Sequence, residues 1–411
     1  MKSLETKSFA GQRGEKIRSD CFIELEMKNS GGIKIEMKSK VETMYGNSIK
    51  ELILQLCGFF EIKNAQILIE DYGALPFTIA ARFETVLRRI NPDIAKQFLP
   101  EFLEKKRLST KKERLRRSRL YLPGNEPKFF INAGLHKPDG IILDLEDSVA
   151  HEQKDAARLL VRNALRAVDF YGCEKMVRIN QLPLGLEDIK FVAPHGVDVV
   201  LIPKVESAEQ VKLVDEEIKF LRAEHNFKND IYLMPIIESA KGVMEAFEIA
   251  TASENICALT IGLEDYTADL GTERTLDGRE SFLARSIIVN AAKAAGIQAI
   301  DTVFSDVNDM DGLLNSVLEA KSLGFEGKGC IHPRQIEVIH KGFAPTEKEI
   351  QKAMKIILAF EEAKSKGLGV VSLGSKMIDA PVVKRAFNTI NLAMTNNLID
   401  ENWREYSAKK V

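Results

Sequence analysis

The chain predicts an α/β protein: a (β/α)8 barrel with a small N-terminal α+β domain and a C-terminal helical extension. Three observations carry this. Between residues 115 and 345, eight short apolar runs alternate with segments of helical periodicity, and eight such units in ~225 residues suit a barrel. Residues 19–91 instead mix alternating runs with amphipathic helical segments, and residues 346–411 form a helical tail.

Residues 1–18 are polar and read as a flexible N-terminus. CFIELEMK and IKIEMKSKV alternate with a period of two around the turn signal Asn29-Ser30-Gly31-Gly32, which predicts a β-hairpin. Ser48 followed by Glu51 reads as a capping box, opening a helix with Ile49, Leu52, Ile53, Leu56 and Phe60 on its apolar face. A strand AQILIE follows, then a helix from Pro76 that aligns Ile79, Phe83, Val86 and Ile90. Together residues 19–91 read as a self-contained domain. Residues 92–114 form a basic linker. The stretch 104–119 holds nine basic residues and no aromatic one, so a solvated helix or linker fits it better than a nucleic-acid surface, which stacks bases on aromatic rings.

The apolar runs are RLYLPG, GIILDLED, KMVRIN, VDVVLIPKV, IYLMPIIES, CALTIGLED, QAIDTVFSD and GKGCIHP. Strands this uniformly apolar are buried on both faces, as in a parallel sheet. A closed barrel is the expectation, and an open eight-stranded sheet is the alternative. GLGVVSLG (367–374) lacks dinucleotide-binding spacing and reads as a loop.

Composition limits the function classes. An apolar share of 45 % in 411 residues supports a sizeable core, and a net charge of −2 provides no global attraction to nucleic acid or membrane. MKSLETKSFAG has no apolar targeting core, and no run approaches ~18 apolar residues, so a cytoplasmic protein is expected. Five scattered cysteines without a CxxC pair read as reduced thiols rather than zinc ligands.

Active sites of such barrels lie at the C-terminal strand ends. Those positions hold Asp144, Glu146 and Asp147, then Arg178 and Asn180, Pro203 and Lys204, Glu238 and Ser239, Glu264 and Asp265, Asp301, Ser305 and Asp306, and His332. Asp147 and Asp306 have helix capping as the competing reading, and His332 capping or core packing. Successive acids around Arg178 and Lys204 point to a site for an anionic ligand. Carboxylates without a His or Cys cluster suit a hard ion such as Mg2+, which uses one or two of them and keeps several waters. Glu238 and Asp265, on adjacent strands, are the best ligand candidates. Arg178 has two readings: a fork for a substrate carboxylate, or an ion pair with Asp144 or Glu146. A 2-oxo acid with its carbonyl polarised by the metal suits this group, and aldol or retro-aldol chemistry follows.

The motifs RRSRLYLPGN, DLEDSV, VRIN, LIPKVESAE, IIES, GLEDYTADLGTERT, AIDTVFSDVND and GSKMIDAP closely resemble the citrate lyase beta-subunit family, whose relatives include malyl-CoA and citramalyl-CoA lyases, over residues 115–400. The resemblance implies a Mg2+-dependent barrel that splits a 3-hydroxyacyl thioester into a shorter acyl thioester and a 2-oxo acid. It makes Glu238 and Asp265 the metal ligands, with Glu238 also touching substrate, and makes Arg178 the anchor of the oxo-acid carboxylate. Arg117 and Lys204 complete the expected substrate contacts, with Asp144, Glu146 and Asp147 behind them. Asp379, by itself a surface turn before Pro381, becomes the acid/base at the acetyl carbon, reached from a neighbouring subunit. A homo-oligomer, a trimer or its multiple, and a CoA-transferase (alpha) subunit are the partners this implies.

Residues 9–90, through SDCFIELE, VETMYGNSIKELI and AQILIEDYGALPFTIAARFETVL, resemble the citrate lyase acyl carrier (gamma) subunit. That family carries a phosphoribosyl-dephospho-coenzyme A arm on a serine followed by a spacer and Asp. Aligned on Asp20, Arg18 takes the serine's place and Ser19 the spacer's. Either Ser19 holds the arm with a one-residue shift, or the barrel takes free CoA thioesters. The leading expectation is cleavage of a citryl thioester to acetyl thioester and oxaloacetate. The alternatives are citramalyl or malyl cleavage, and a non-catalytic scaffold.

Overall fold

The computed structural model describes residues 6–103, 110–365, 371–373 and 376–404. Strands β1 (Lys7–Gly11), β2 (Cys21–Met27) and β3 (Ile33–Ser39), helix α1 (Glu42–Phe59), strand β4 (Ala65–Asp71) and helix α2 (Pro76–Ile90) form the N-terminal domain. Three expectations change here. The N-terminus is not wholly flexible, because β1 pairs antiparallel with β2, Lys7 opposite Glu26. The hairpin does not form: β4 inserts between its two strands, antiparallel to β2 and parallel to β3, in the order β1-β2-β4-β3. Alternation reports which face is buried and not which strand is the neighbour. The helix also starts six residues before Ser48, since Gly46 packs on Met37 of β3 and helical contacts extend N-terminal of the capping signal.

Helix α2 explains why this domain is not free-standing. Its predicted face, Ile79, Phe83, Val86 and Ile90, fills the core over the sheet. Its other side, with Arg82, Glu84 and Thr85, is buried as well. Glu84 is forked by Arg162 at 2.9 and 2.8 Å, Arg82 donates to the Asn125 carbonyl at 3.0 Å, and Arg89 is forked on Asp155 at 2.6 and 2.7 Å. Arg162 and Asp155 belong to the barrel's first long helix and Asn125 to a loop at its mouth. The carrier-like domain is therefore docked by ion pairs. Residues 92–103 are a strap and not a solvated linker: Phe98 N donates to Glu84 at 3.1 Å, Leu103 N donates to the Arg166 carbonyl at 3.2 Å, and the Phe102 ring lies under Arg166. Part of the basic stretch, 104–109, lies outside the described residues.

All eight predicted barrel strands are present as β5 (Ser118–Pro123), β6 (Gly140–Asp144), β7 (Glu174–Arg178), β8 (Val199–Ile202), β9 (Tyr232–Ile237), β10 (Ala258–Ile261), β11 (Gln298–Asp301) and β12 (Gly327–Cys330). The sheet is parallel and closed, β12 pairing back to β5 with Cys330 opposite Leu120, which removes the open-sheet alternative. The outer helices are α3 (Lys154–Ala167), α4 (Leu184–Val192), α5 (Ala208–His225), α6 (Ala240–Met244), α7 (Ala246–Ala250), α8 (Leu263–Asp269), α9 (Arg279–Ala294) and α10 (Met310–Leu323), and α11 (Arg334–Phe343) follows β12 in the chain. Ser207 and Gln210 close α5 with a reciprocal capping box. Ile142, Met176, Leu201, Met234, Ile236 and Ile300 pack into one core cluster of the barrel strands.

A second compact unit begins at Glu337. It contains α12 (Glu347–Ser365), the antiparallel pair β13 (Val371–Leu373) and β14 (Lys376–Ile378), and α13 (Ala380–Thr395), so part of the predicted loop GLGVVSLG is strand and the rest lies outside the described residues. Ile357, Val383, Ile390 and Trp403 form its core. Among the described residues no helix is long and apolar enough to cross a membrane.

Candidate active site

The C-terminal strand ends hold a charged constellation over a cavity of about 400 Å³, lined by Tyr121, Asp144, Arg178, Glu238 and Asp265 among others. Arg178, the last residue of β7, is forked on Asp144 at 2.6 and 2.7 Å and reaches Glu146 at 2.9 Å and Asp147 at 3.5 Å. The Tyr121 ring lies 5.4 Å from its guanidinium carbon. Both readings of Arg178 are thus compatible. A guanidinium has five N–H groups, and these carboxylate contacts leave one of them, on Nη2, for a ligand. Burial alone raises the Asp144 carboxyl, yet the Arg178 hydrogen bonds outweigh it and hold Asp144 below the usual range. Asp144 also accepts from the Glu146 and Ser148 amides, and so shapes the DLEDSV loop. Glu146 is shifted upward, by burial first, and is held by Gln181 at 3.0 Å.

Glu238 follows β9 and Asp265 sits in the first turn of α8, after β10. The glutamate is only 5 % exposed, and its Oε1 has no hydrogen-bond partner. Burial, and then the neighbouring Asp265 carboxyl, push it up to about 8. Asp265 moves the opposite way: burial raises it, but hydrogen bonds from Glu238 and Lys204 prevail and lower it. The two neighbouring carboxyls are thus driven in opposite directions, as close carboxylates are when no cation lies between them. Gly262 makes room, since a Cβ there would lie 2.8 Å from the Glu238 Cγ. Lys204 reaches Asp265 at 3.1 Å and Glu146 at 3.8 Å from a backbone φ of 49°, a left-handed conformation uncommon for lysine.

The donor set fits a hard divalent cation. It offers two carboxylates, one with an orphaned buried oxygen, beside open cavity; among the described residues no group of three or more His, Cys, Asp and Glu is placed to hold an ion by itself, so water or substrate would complete the coordination. Glu238 and Asp265 would hold such an ion.

Other candidates lie elsewhere. Arg117 is a correction: it precedes β5 at the N-terminal end of the barrel and is forked on Asp139 at 2.8 Å through Nε and Nη2, on the far side from the mouth. Asp147 and Asp306 cap no helix. Asp309 caps α10 instead, while Asp306 accepts from the Asn308 amide. Ser239 caps α6, and His332 accepts from the Arg334 amide at 3.1 Å. The Asp301 side chain pairs with Lys328 at 2.7 Å and Arg285 at 3.1 Å. Asp379 is the exposed N-cap of α13, accepting from Val382 N at 3.1 Å. Ser19 is half-buried with φ 57°, its N–H bonded to the Tyr72 carbonyl, beside buried Asp20, which is forked by Arg82 at 3.0 and 2.8 Å. Sequence reasoning missed Tyr121 and Gly262. The period-two alternation of RLYLPG and the glycine directly after CALTI were their signals.

Residues 117–333 match the HpcH/HpaI aldolase/citrate lyase family, and residues 11–90 match an acyl carrier model described as the malonate decarboxylase delta subunit. The citrate lyase subunit beta of Leuconostoc mesenteroides is 45 % identical over 293 residues, 70 % of this chain and 96 % of that one. The mitochondrial citramalyl-CoA lyase of Mus musculus is 35 % identical over 301 residues, 70 % of this chain and 88 % of that one. The crystal structure of CitE from Mycobacterium tuberculosis in complex with magnesium, acetoacetate and coenzyme A is 30 % identical, with a TM-score of 0.57, covering 69 % of this chain and 99 % of that one. The chain belongs to the HpcH/HpaI aldolase/citrate lyase family and is a carbon–carbon lyase, with an acyl-carrier domain fused ahead of its barrel.

Proposed function

We propose that the barrel cleaves a citryl thioester to an acetyl thioester and oxaloacetate with Mg2+ held by Glu238 and Asp265. The observation that carries this is the Glu238–Asp265 carboxyl pair, with an orphaned buried oxygen on Glu238, lining the cavity at the mouth of a chain 45 % identical to a citrate lyase beta subunit. When bound, the ion polarises the oxo-acid carbonyl as a Lewis acid.

The protein's own groups do the rest. Arg178, oriented by Asp144, offers its remaining Nη2 N–H to the oxo-acid carboxylate. Lys204 keeps Asp265 ionised and adds positive charge to a mouth otherwise crowded with carboxylates. Burial of Glu238 keeps water from its carboxyl, which strengthens each charge interaction there. The substrate hydroxyl loses its proton as the carbon–carbon bond breaks, which forms the oxo-acid carbonyl and leaves an enolate of the acyl thioester; its carbon takes up one proton, so none is consumed overall. Asp379 of a neighbouring subunit supplies that proton, which makes the working enzyme a homo-oligomer. Asp379→Asn is expected to fold and bind Mg2+ but to lose about 10²–10⁴-fold in turnover. Asparagine caps a helix as well as aspartate does, so the α13 cap survives. Near-normal turnover of the purified variant would sink this assignment.

The direct test is release of a 2-oxo acid from citryl-, citramalyl- and malyl-CoA with and without Mg2+. Mg2+-dependent oxaloacetate from the citryl substrate supports the proposal, and release of pyruvate or glyoxylate alone reassigns the substrate. The carrier domain has two readings. Tethering of the acyl group near the mouth raises its local concentration, and Asn125 at the barrel rim is bonded to the Arg82 that clamps Asp20. Against an arm on Ser19 stands its clamped, left-handed backbone, with Arg18 in the serine's expected place, and this favours free CoA thioesters. Intact-mass measurement decides between them: a phosphoribosyl-dephospho-coenzyme A increment selects the tethered reading, and the bare chain mass selects free CoA.

A further inference from the structure

Among the described residues, six Lys and Arg side chains are at most 3 % exposed: Arg82, Arg116, Arg119, Arg162, Arg285 and Lys328. Five of them have a carboxylate partner: Asp20 for Arg82, Glu174 for Arg116, Glu84 for Arg162, and Asp301 for both Arg285 and Lys328. Arg119 is the exception. Its Nη1 donates to Thr260 Oγ1 at 3.1 Å and faces Met234 Sδ at 3.0 Å, its Nη2 lies 3.5 Å from the Asp301 carbonyl, and its Nε has no partner. A buried cation without a counter-ion is costly to keep, and natural cores rarely do so without a use for it.

Its position indicates the use. Arg119 is on β5, and the side chains it touches belong to β9 and β10, so it extends across the barrel lumen. It lines the same cavity as Arg178, Glu238 and Asp265. Tyr121, two residues further along the same face of β5, lies against the Arg178 guanidinium, which puts Arg119 one layer below the Arg178 level, about 7 Å along the strand.

We infer that Arg119 is the specificity residue that reads the second carboxylate of a dicarboxylic 2-oxo acid at the floor of the cavity. The inference rests on the proposed lyase reading and sharpens it. The oxo-acid portion carries its first carboxylate to Arg178 and its distal one down to Arg119, so the pocket favours a thioester that releases a four-carbon oxo-diacid. Pyruvate and glyoxylate have no group to neutralise the buried guanidinium, and they leave its Nε unpaired.

The test compares binding of freshly prepared oxaloacetate and of pyruvate to the Mg2+-loaded full chain, by calorimetry, in wild type, Arg119→Met and Arg119→Gln. Wild type is expected to bind oxaloacetate at least tenfold more tightly than pyruvate. Both neutral variants are expected to lose that preference while keeping their affinity for pyruvate, and their thermal midpoints should match or exceed wild type. Two variants of different polarity guard against misfolding of one. Equal affinity of wild type for the two acids overturns the inference without any variant, as does a preference that survives both substitutions. A wild type that prefers oxaloacetate but cleaves none of the three thioesters contradicts the lyase reading and leaves the role of Arg119 standing.

Discussion

The two ends of the barrel hold similar numbers of charges in opposite states. At the N-terminal end the charges are closed on one another. Arg116 is forked on Glu174 at 2.7 and 2.8 Å and also donates to Gln298, and Arg117 is forked on Asp139. At the C-terminal end the account does not close. Glu238 has an orphaned oxygen and is pushed up to about 8 by burial and then by the neighbouring Asp265, Lys204 holds a left-handed backbone, and Arg119 lies below without a counter-ion. Residue types are the same at both ends. What distinguishes a structural charge from a functional one here is whether the chain itself supplies the partner.

That contrast predicts opposite outcomes for one kind of substitution. Glu238→Gln is expected to reduce thioester cleavage by well over the roughly 100-fold that a supporting residue near a metal typically costs, with an unchanged or higher unfolding midpoint. Steady-state turnover and a thermal melt on one preparation check it. Glu174→Gln at the other end leaves the Arg116 charge buried and unpaired, and should cost about 3–5 kcal/mol of stability with turnover per folded molecule intact. If the two variants behave alike, the distinction between the ends fails.

A smaller effect comes from His195, near the start of β8. Burial, and then Arg162 and Arg166, lower it to about 3, and its Nδ1 contacts Arg166 at 3.2 Å. The fold favours the neutral ring, so its contribution is complete above the unfolded value near 6.5 and is lost as pH falls toward 3. By pH 5 the loss is about 2 kcal/mol. Denaturant unfolding at pH 7 and pH 5 should show wild type losing this increment and His195→Gln not losing it. Parallel pH profiles would contradict the assignment.

The barrel was legible because every strand is buried on both faces, so GIILD or VVLI needs no partner to be read. The N-terminal sheet was not legible in the same way. CFIELEM and IKIEMKS show a half-buried face, but the strand between them comes from AQILIED, more than thirty residues after the turn that suggested a hairpin. Glu238 and Asp265 were readable from position alone, as acids directly after apolar runs. Arg117 was expected at the substrate from resemblance, but RRSR straddles the start of its strand, so Arg117 lies beneath the barrel while Arg119, two positions on, lies inside it. Arg119 passed as one more basic residue in a basic stretch, and only the packing shows that it lacks a carboxylate. Asp379 has no local signal beyond its cap, and its role came from resemblance.

The central claim is that the unclosed end of the barrel is closed by a divalent cation between Glu238 and Asp265. Calorimetric titration of Mg2+ into wild type and Glu238→Gln tests it most directly. One ion per chain in wild type, with at least tenfold weaker binding in the variant, is the predicted result. Equal affinity in the two proteins, or no binding to wild type, would contradict it.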